Sequence, residues 1–169
     1  VVLRHINHDE VVDLVDFARK SGLDISFIEE MPLGMINDHV RADTYYSSAE
    51  ILADLRRQYD LIATTEKTGG PARYYRMPDS DSRVGFISPH SHNFCDSCNR
   101  VRLTAEGRLL LCLGQEHSMD LKRVARANPG DEAALRDAII QSMQLKPRGH
   151  DFDLNTQQVI LRHMNVTGG

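Results

Sequence analysis

The stretch that decides the fold class is VVLRHINHDEVVDLVDFARKSGLDISFIEEMP, residues 1–32. Val1–Leu3 is apolar from the first position and reads as the tail of a strand. Asn7 or His8 can cap a helix, and Asp9 and Glu10 suit its positive first turn. Val11, Leu14, Val15 and Ala18 then recur at helical spacing, and Gly22 is a natural stop. Leu23, Ile25 and Phe27 alternate as a strand that ends at Glu29-Glu30-Met31-Pro32. Strand, helix and strand in this order form a βαβ unit, whose two strands run parallel. The class is therefore α/β. One such unit does not separate a barrel from a doubly wound sheet.

Beyond Pro32 the pattern changes. Residues 32–47 are loop-like, and Ser47 or Ser48 caps a helix to about Tyr59, with Glu50 placed for a capping box on Ser47. Ala72–Met77 and Arg83–Ser88 read as strands joined through Pro78-Asp79-Ser80-Asp81. Val101–Thr104 and Leu109–Cys112 form a second hairpin around Ala105-Glu106-Gly107-Arg108. Helices follow near 118–127 and 131–145, the second capped by Asp131. The expected organisation is residues 1–40 as a strand–helix–strand unit and 41–169 as an α+β domain with antiparallel strands.

The chain has 169 residues, a formal net charge of −4, 41% hydrophobic and 26% charged residues. These are globular values. The charge argues against a polyanion binder, so nucleic acid is not an expected partner. No apolar run is long enough to span a bilayer, so no membrane role is expected. Val1 opens no signal peptide, and the start in mid-pattern reads as a cut or processed fragment.

Three cysteines are present, Cys95, Cys98 and Cys112. An odd count with a C-x-x-C pair is a poor disulfide framework and points to a reducing, cytoplasmic setting. C-x2-C-x13-C places two thiols in a turn and the third at the end of a hairpin strand, so the hairpin returns the chain to its start. Three thiolates can hold a [4Fe–4S] cluster by three irons and leave the fourth open. Three thiolates plus His90, His92 or His117 could equally hold structural zinc, which spacing alone puts ahead of iron–sulfur. A redox dithiol at Cys95-Asp96-Ser97-Cys98, or three unrelated core thiols, are the other readings.

Arg100 and Arg102 follow at once. Within a strand they point to one face, and paired guanidiniums form a clamp for phosphate or carboxylate. For an ordinary Arg-x-Arg a solvated face is the commoner meaning; adjacency to the cysteines favours function.

The run Asn93-Phe94-Cys95-Asp96-Ser97-Cys98-Asn99-Arg100-Val101-Arg102-Leu103-Thr104-Ala105-Glu106-Gly107, with Cys112-Leu113 beyond, closely resembles the C-terminal cluster motif of the GTP 3′,8-cyclase family of molybdenum cofactor biosynthesis. Asn7-His8-Asp9-Glu10, Phe27-Ile28-Glu29, Met31-Pro32-Leu33, Tyr74-Tyr75-Arg76, Gly85-Phe86-Ile87-Ser88, Lys146-Pro147, His150 and the terminal Gly168-Gly169 resemble the same family in order. The resemblance covers essentially the whole chain.

The resemblance implies a radical S-adenosylmethionine lyase with two [4Fe–4S] clusters. Residues 1–40 would be the last βα units of an incomplete TIM-like barrel, and 41–169 the cluster- and substrate-binding domain. The N-terminal cluster, on a CxxxCxxC motif, would cleave S-adenosylmethionine. The resulting radical would take a hydrogen from the ribose of GTP, giving (8S)-3′,8-cyclo-7,8-dihydroguanosine 5′-triphosphate, which passes to cyclic pyranopterin monophosphate synthase. By motif position Cys95, Cys98 and Cys112 would ligate the C-terminal cluster, with GTP at its open iron. Arg100 and Arg102 would contact GTP, and Gly168 and Gly169 would reach the site and support catalysis. This sequence has no CxxxCxxC, so the chain alone should be inactive. Ser26 stands where the family often has Arg. An incomplete barrel exposes strand edges that a homodimer could cap.

Other residues carry blander readings. Arg73 and Arg76 read as paired surface charges ahead of an extension of the phosphate clamp, Lys122, Arg123 and Arg126 as a solvated helix face, and the six Met as core filler. His150 is placed either at the site or in a structural hydrogen bond. Glu29 and Glu30 end a strand where barrel chemistry usually lies, and one of them could be only a solvated carboxylate.

Overall fold

The computed structural model describes residues 1–34, 36–154, 160 and 162. They form two compact units, Val1–Met31 with Asn37–Phe94, and Pro32–Ile36 with the chain from Cys95 onward. The expected boundary at residue 40 falls inside the first unit. The class is mixed α/β.

In the first unit a helix, α1 (Val11–Ser21), is preceded by a 3-10 turn at His8–Glu10. Gly22 closes it at φ +65°, donating its N–H to Ala18 and Arg19 carbonyls, as the sequence predicts. Strand β1 (Ile25–Ile28) comes next, then short α2 (Arg41–Thr44), α3 (Ser48–Leu55), β2 (Ile62–Ala63), β3 (Arg73–Met77) and β4 (Ser80–Ile87). The sheet order is β1-β4-β3-β2. Only β1 and β4 run parallel; the other pairings are antiparallel.

The expected first strand is not formed. Leu3 makes a single antiparallel bridge with Tyr45. The reason is Asn7, whose side chain does not cap the helix but turns back. Its Oδ1 accepts from the Leu3 N–H at 2.7 Å, and its amide donates to the Val1 carbonyl at 3.1 Å. Those are backbone groups a strand ladder would need. The parallel partner of β1 is therefore β4, reached by a crossover holding two helices and a hairpin.

Ser47 caps α3 with the predicted box: its Oγ accepts from the Glu50 N–H, and the Glu50 carboxylate accepts from the Ser47 N–H. Ile51 and Leu55, one turn apart, are fully buried with Val11, Val15, Phe27, Val84 and Phe86. The β3–β4 turn is tighter than expected, with Met77 facing Ser80 across Pro78-Asp79.

Glu29 and Glu30 are both buried, at 1% and 8% exposure, so neither is a solvated carboxylate. Glu29 accepts from the backbone N–H of Ser48 (3.0 Å), His90 (2.9 Å) and Ser91 (3.0 Å), and from the Ser91 hydroxyl at 2.5 Å. Burial alone would raise its pKa. The Ser91 hydroxyl and the three N–H donors outweigh it and hold the carboxyl below its ordinary value. Glu30 meets the His39 ring at 3.0 Å and the Arg41 guanidinium at 3.1 Å.

In the second unit, β5 (Arg102–Leu103), β6 (Arg108–Leu110) and β7 (Ser118–Asp120) make an antiparallel sheet in that order. The helix expected near 118 begins later, because Ser118–Asp120 pairs with β6 and the Asp120 carboxylate then caps α4 (Leu121–Ala127) at the Arg123 N–H. Helix α5 (Glu132–Gln144) starts from Asp131 as predicted. Leu109, Leu111, Leu121 and Ala138 form this unit's core. Among the described residues no helix is long and apolar enough to cross a membrane.

The Glu29 site yields a pH prediction. A carboxyl whose folded pKa is depressed contributes stability above its ordinary pKa of 4.5, and that contribution is lost as pH falls through the folded value. Glu29→Gln should cost about 1.5–3 kcal/mol at pH 7. The difference between wild type and variant in urea unfolding should shrink steadily below pH 4.5. A difference that is constant down to pH 3 would reject the ionised, donor-filled Glu29.

Candidate metal centre and anion site

The hairpin that returns Cys112 toward Cys95 turns on Gly107. Its φ is +80°, and a Cβ there would lie 2.7 Å from the Lys122 Cβ, so both backbone and space require glycine. The Gly107 N–H donates to the Thr104 carbonyl at 2.9 Å, and the Thr104 N–H to the Arg108 carbonyl at 2.9 Å. Cys95 opens a 3-10 turn, Cys95–Ser97, and the Cys98 N–H donates to the Cys95 carbonyl at 3.0 Å.

All three cysteines are free and half-buried. They stand close enough to act on one another. Burial pushes the Cys112 thiol up, and negative charge on Cys95 and Cys98 adds to the rise. The Gly114 N–H and the positive charge of Lys146 pull it the other way. Among the described residues, however, no three His, Cys, Asp or Glu side chains gather tightly enough for a single metal ion. Thiolates on one tetrahedral zinc, at about 2.3 Å each, would stand about 3.8 Å apart.

Two of the candidate histidines have engaged rings, His90 and His92, whereas His117 is exposed and, among the described residues, is held only through its backbone. The His90 ring meets the Glu30 carbonyl at 2.9 Å and packs on Tyr45 with centroids 5.5 Å apart. His92 meets the Ser91 hydroxyl, and the His117 carbonyl accepts from the Leu111 N–H.

Arg102 lies in β5, opposite Leu110, half-buried, with no ion pair among the described residues. Arg100 is exposed and precedes the strand, so strand alternation does not by itself align the two side chains. Arg76 pairs with Glu66 at 2.8 Å, as a surface charge should. Ser26 is exposed on β1, paired with Gly85. Gly168 and Gly169 lie outside the described residues.

The segment after α5 is the part the sequence did not assign. Lys146 Nζ donates to the Leu111 carbonyl at 2.6 Å and to the Arg100 carbonyl at 2.9 Å. Gly149 passes beside Cys95, where a Cβ would lie 3.6 Å from the Cys95 Cβ. Gly114 is closed over by His150 and Phe152, and a Cβ there would come within 2.7 Å of both. The two rings stack at 3.9 Å. The signal for this strap was only Lys146-Pro147 and His150 at one end of a helix, where a lysine ordinarily reports nothing beyond the helix dipole. A cavity of about 470 Å³ beside it is lined by Gly114, Gln115, Glu116, His117, Asp151, Phe152 and Ile160, of which only His117 was an expected candidate.

The raised Cys112 pKa predicts its chemistry. The thiolate is the reactive form, so alkylation of Cys112 by iodoacetamide at pH 8 should be slower than in the urea-unfolded chain. Its rate should climb with a midpoint above the ordinary 9.0. Peptide mass spectrometry over time measures both; a midpoint below 9.0 would contradict the half-buried environment.

Residues 23–152 match the Molybdenum Cofactor Synthesis C family. Over the whole chain, the GTP 3′,8-cyclase of Marinobacter nauticus is 57% identical across 169 residues and that of Pseudomonas putida 60% across 170. That of Saccharophagus degradans is 53% identical across 169. The chain spans about half the length of these curated relatives, 51% of each.

Proposed function

Because the chain belongs to the Molybdenum Cofactor Synthesis C family, we propose that it is the cluster- and GTP-binding half of a GTP 3′,8-cyclase. In this reading Cys95, Cys98 and Cys112 hold a [4Fe–4S] cluster by three irons. The observation that carries it is the arrangement of the thiols. They are free and half-buried, Cys112 is returned toward Cys95 and Cys98 by the β5–β6 hairpin, and charge on Cys95 and Cys98 is felt at Cys112. When bound, the cluster supplies a Lewis-acid iron without a protein ligand, at which GTP would be held.

The protein's own residues then bind and orient. Arg100 and Arg102 offer paired planar donors to the triphosphate. The role of the Gly168-Gly169 tail is to approach the bound nucleotide. S-adenosylmethionine and the second cluster belong to a CxxxCxxC site that this sequence does not contain, so this chain alone forms no radical. Free thiols of this kind persist in a reducing cytoplasm. A zinc-stabilised binding module is the second reading, since three thiolates and one further donor suffice for it.

Anaerobic reconstitution with iron and sulfide separates the two. The chain should turn brown and hold about four iron and four sulfide, and Cys95→Ser, Cys98→Ser or Cys112→Ser should each abolish this. Stoichiometric zinc without acid-labile sulfide would favour the module.

For the anion clamp, Arg100→Ala with Arg102→Ala in the full-length enzyme should weaken GTP binding about tenfold or more, from two lost charge-assisted contacts. Arg123→Ala, on the exposed face of α4, should change it little. Equal effects, read by titration calorimetry, would remove the arginine pair from the site.

A further inference from the structure

The ladder between β5 and β6 pairs Arg102 with Leu110 and Leu103 with Leu109, and goes no further. Continued in the same register, Arg100 would face Cys112. The ladder instead stops two residues short, while the β6–β7 ladder runs on by one rung, the Leu111 N–H donating to the His117 carbonyl at 3.1 Å. The two chains thus part just where one leads back to Cys98 and the other on to Cys112. Where two strands part, a donor from outside the ladder can link them through their carbonyls.

Lys146 supplies that donor to both sides. Its ammonium has three N–H groups, and two are spent on the Arg100 and Leu111 carbonyls. These are the residue two after Cys98 and the residue immediately before Cys112. The same strap carries Gly149 to Cys95. One side chain and the segment behind it therefore touch the backbone near Cys98 and Cys112 and run beside the Cys95 side chain.

We infer that Lys146 is a positioning residue for the three-thiolate site: its ammonium bridges the parted ends of β5 and β6 and fixes the separation of Cys98 from Cys112. The inference rests on the cluster reading above. Outer partners of this kind ordinarily change metal affinity by about 10–100-fold.

The test compares wild type, Lys146→Met, Lys146→Arg and Arg123→Met, each reconstituted anaerobically with ferrous iron and sulfide. The readouts are iron and sulfide per chain, the rate of cluster loss to a chelator, the electron paramagnetic resonance spectrum of the reduced cluster, and the urea unfolding of the metal-free chains. Lys146→Met should lose its cluster about tenfold faster or more, with an altered spectrum. Lys146→Arg, which keeps the charge and the donors, should recover much of the loss, and Arg123→Met should match wild type. A Lys146→Met chain that holds the cluster at the wild-type rate, with the wild-type spectrum, overturns the inference. If Lys146→Met is unfolded without metal, recovery in Lys146→Arg supports the role and failure to recover counts against it. A wild-type chain that takes up zinc and no sulfide defeats the cluster reading itself, and the inference with it.

Discussion

A carboxylate at 1% exposure stays charged only if its lone pairs are filled, and the first unit is organised around filling those of Glu29. The donors come from two places: the first residue of α3, and the turn after β4, which gives the His90 and Ser91 N–H groups and the Ser91 hydroxyl. None is near Glu29 in sequence. The bonds therefore fix where α3 begins against the end of β1, and where the chain leaves the sheet. The parallel pairing of β1 with β4 brings Glu29 beside this exit, since the Glu29 N–H itself donates to the Ile87 carbonyl at 3.1 Å. Removing one partner of such a group leaves a buried charge unpaired, which costs more than the bond gained. The nearby Tyr45 feels the same charge: burial and the Glu29 carboxylate together raise its phenol.

The second unit solves the converse problem with a cation. Its sheet is short, and among the described residues Leu109, Leu111, Leu121 and Ala138 pack together with Met119, Val124 and Leu135 around them. Polar links join its strands at both ends. The Gly107 turn ties β5 to β6 at one end, and the Lys122 N–H donates to the Gly107 carbonyl at 3.1 Å. At the other end the strands part and the post-α5 strap bridges them.

What could be read from the sequence came from local rules. Gly22, the Ser47–Glu50 box, the Asp131 cap and the Gly107 turn are each set by neighbours within a few residues. The cysteine spacing was legible for the same reason, since a hairpin is a local device. Three things were not legible. Asn7 offered a cap by type but bonded backward, and only the competing demand of the Leu3 and Val1 backbone decided it. Burial of Glu29 and Glu30 depends on donors up to 62 positions away. Lys146 reaches carbonyls 46 and 35 positions away, where no periodicity could point.

The formal charge of −4 also acquires a different meaning. In the first unit the arginines are largely matched to carboxylates: Arg4 to Glu50, Arg19 to Asp79, Arg41 to Glu30, Arg76 to Glu66 and Arg83 to Asp24. Apart from the buried Arg41–Glu30, such surface pairs contribute at most about 1 kcal/mol each, but they leave little field for an outside anion. The second unit is different near the cysteines. Lys146 spends its donors on carbonyls, which are neutral, so its charge is not cancelled by them. Arg102 has no acidic partner among the described residues. Positive charge therefore persists beside three thiols, although the chain as a whole is acidic. An anion responds to the local field and not to the sum, so the negative net charge does not describe the surroundings of these thiols.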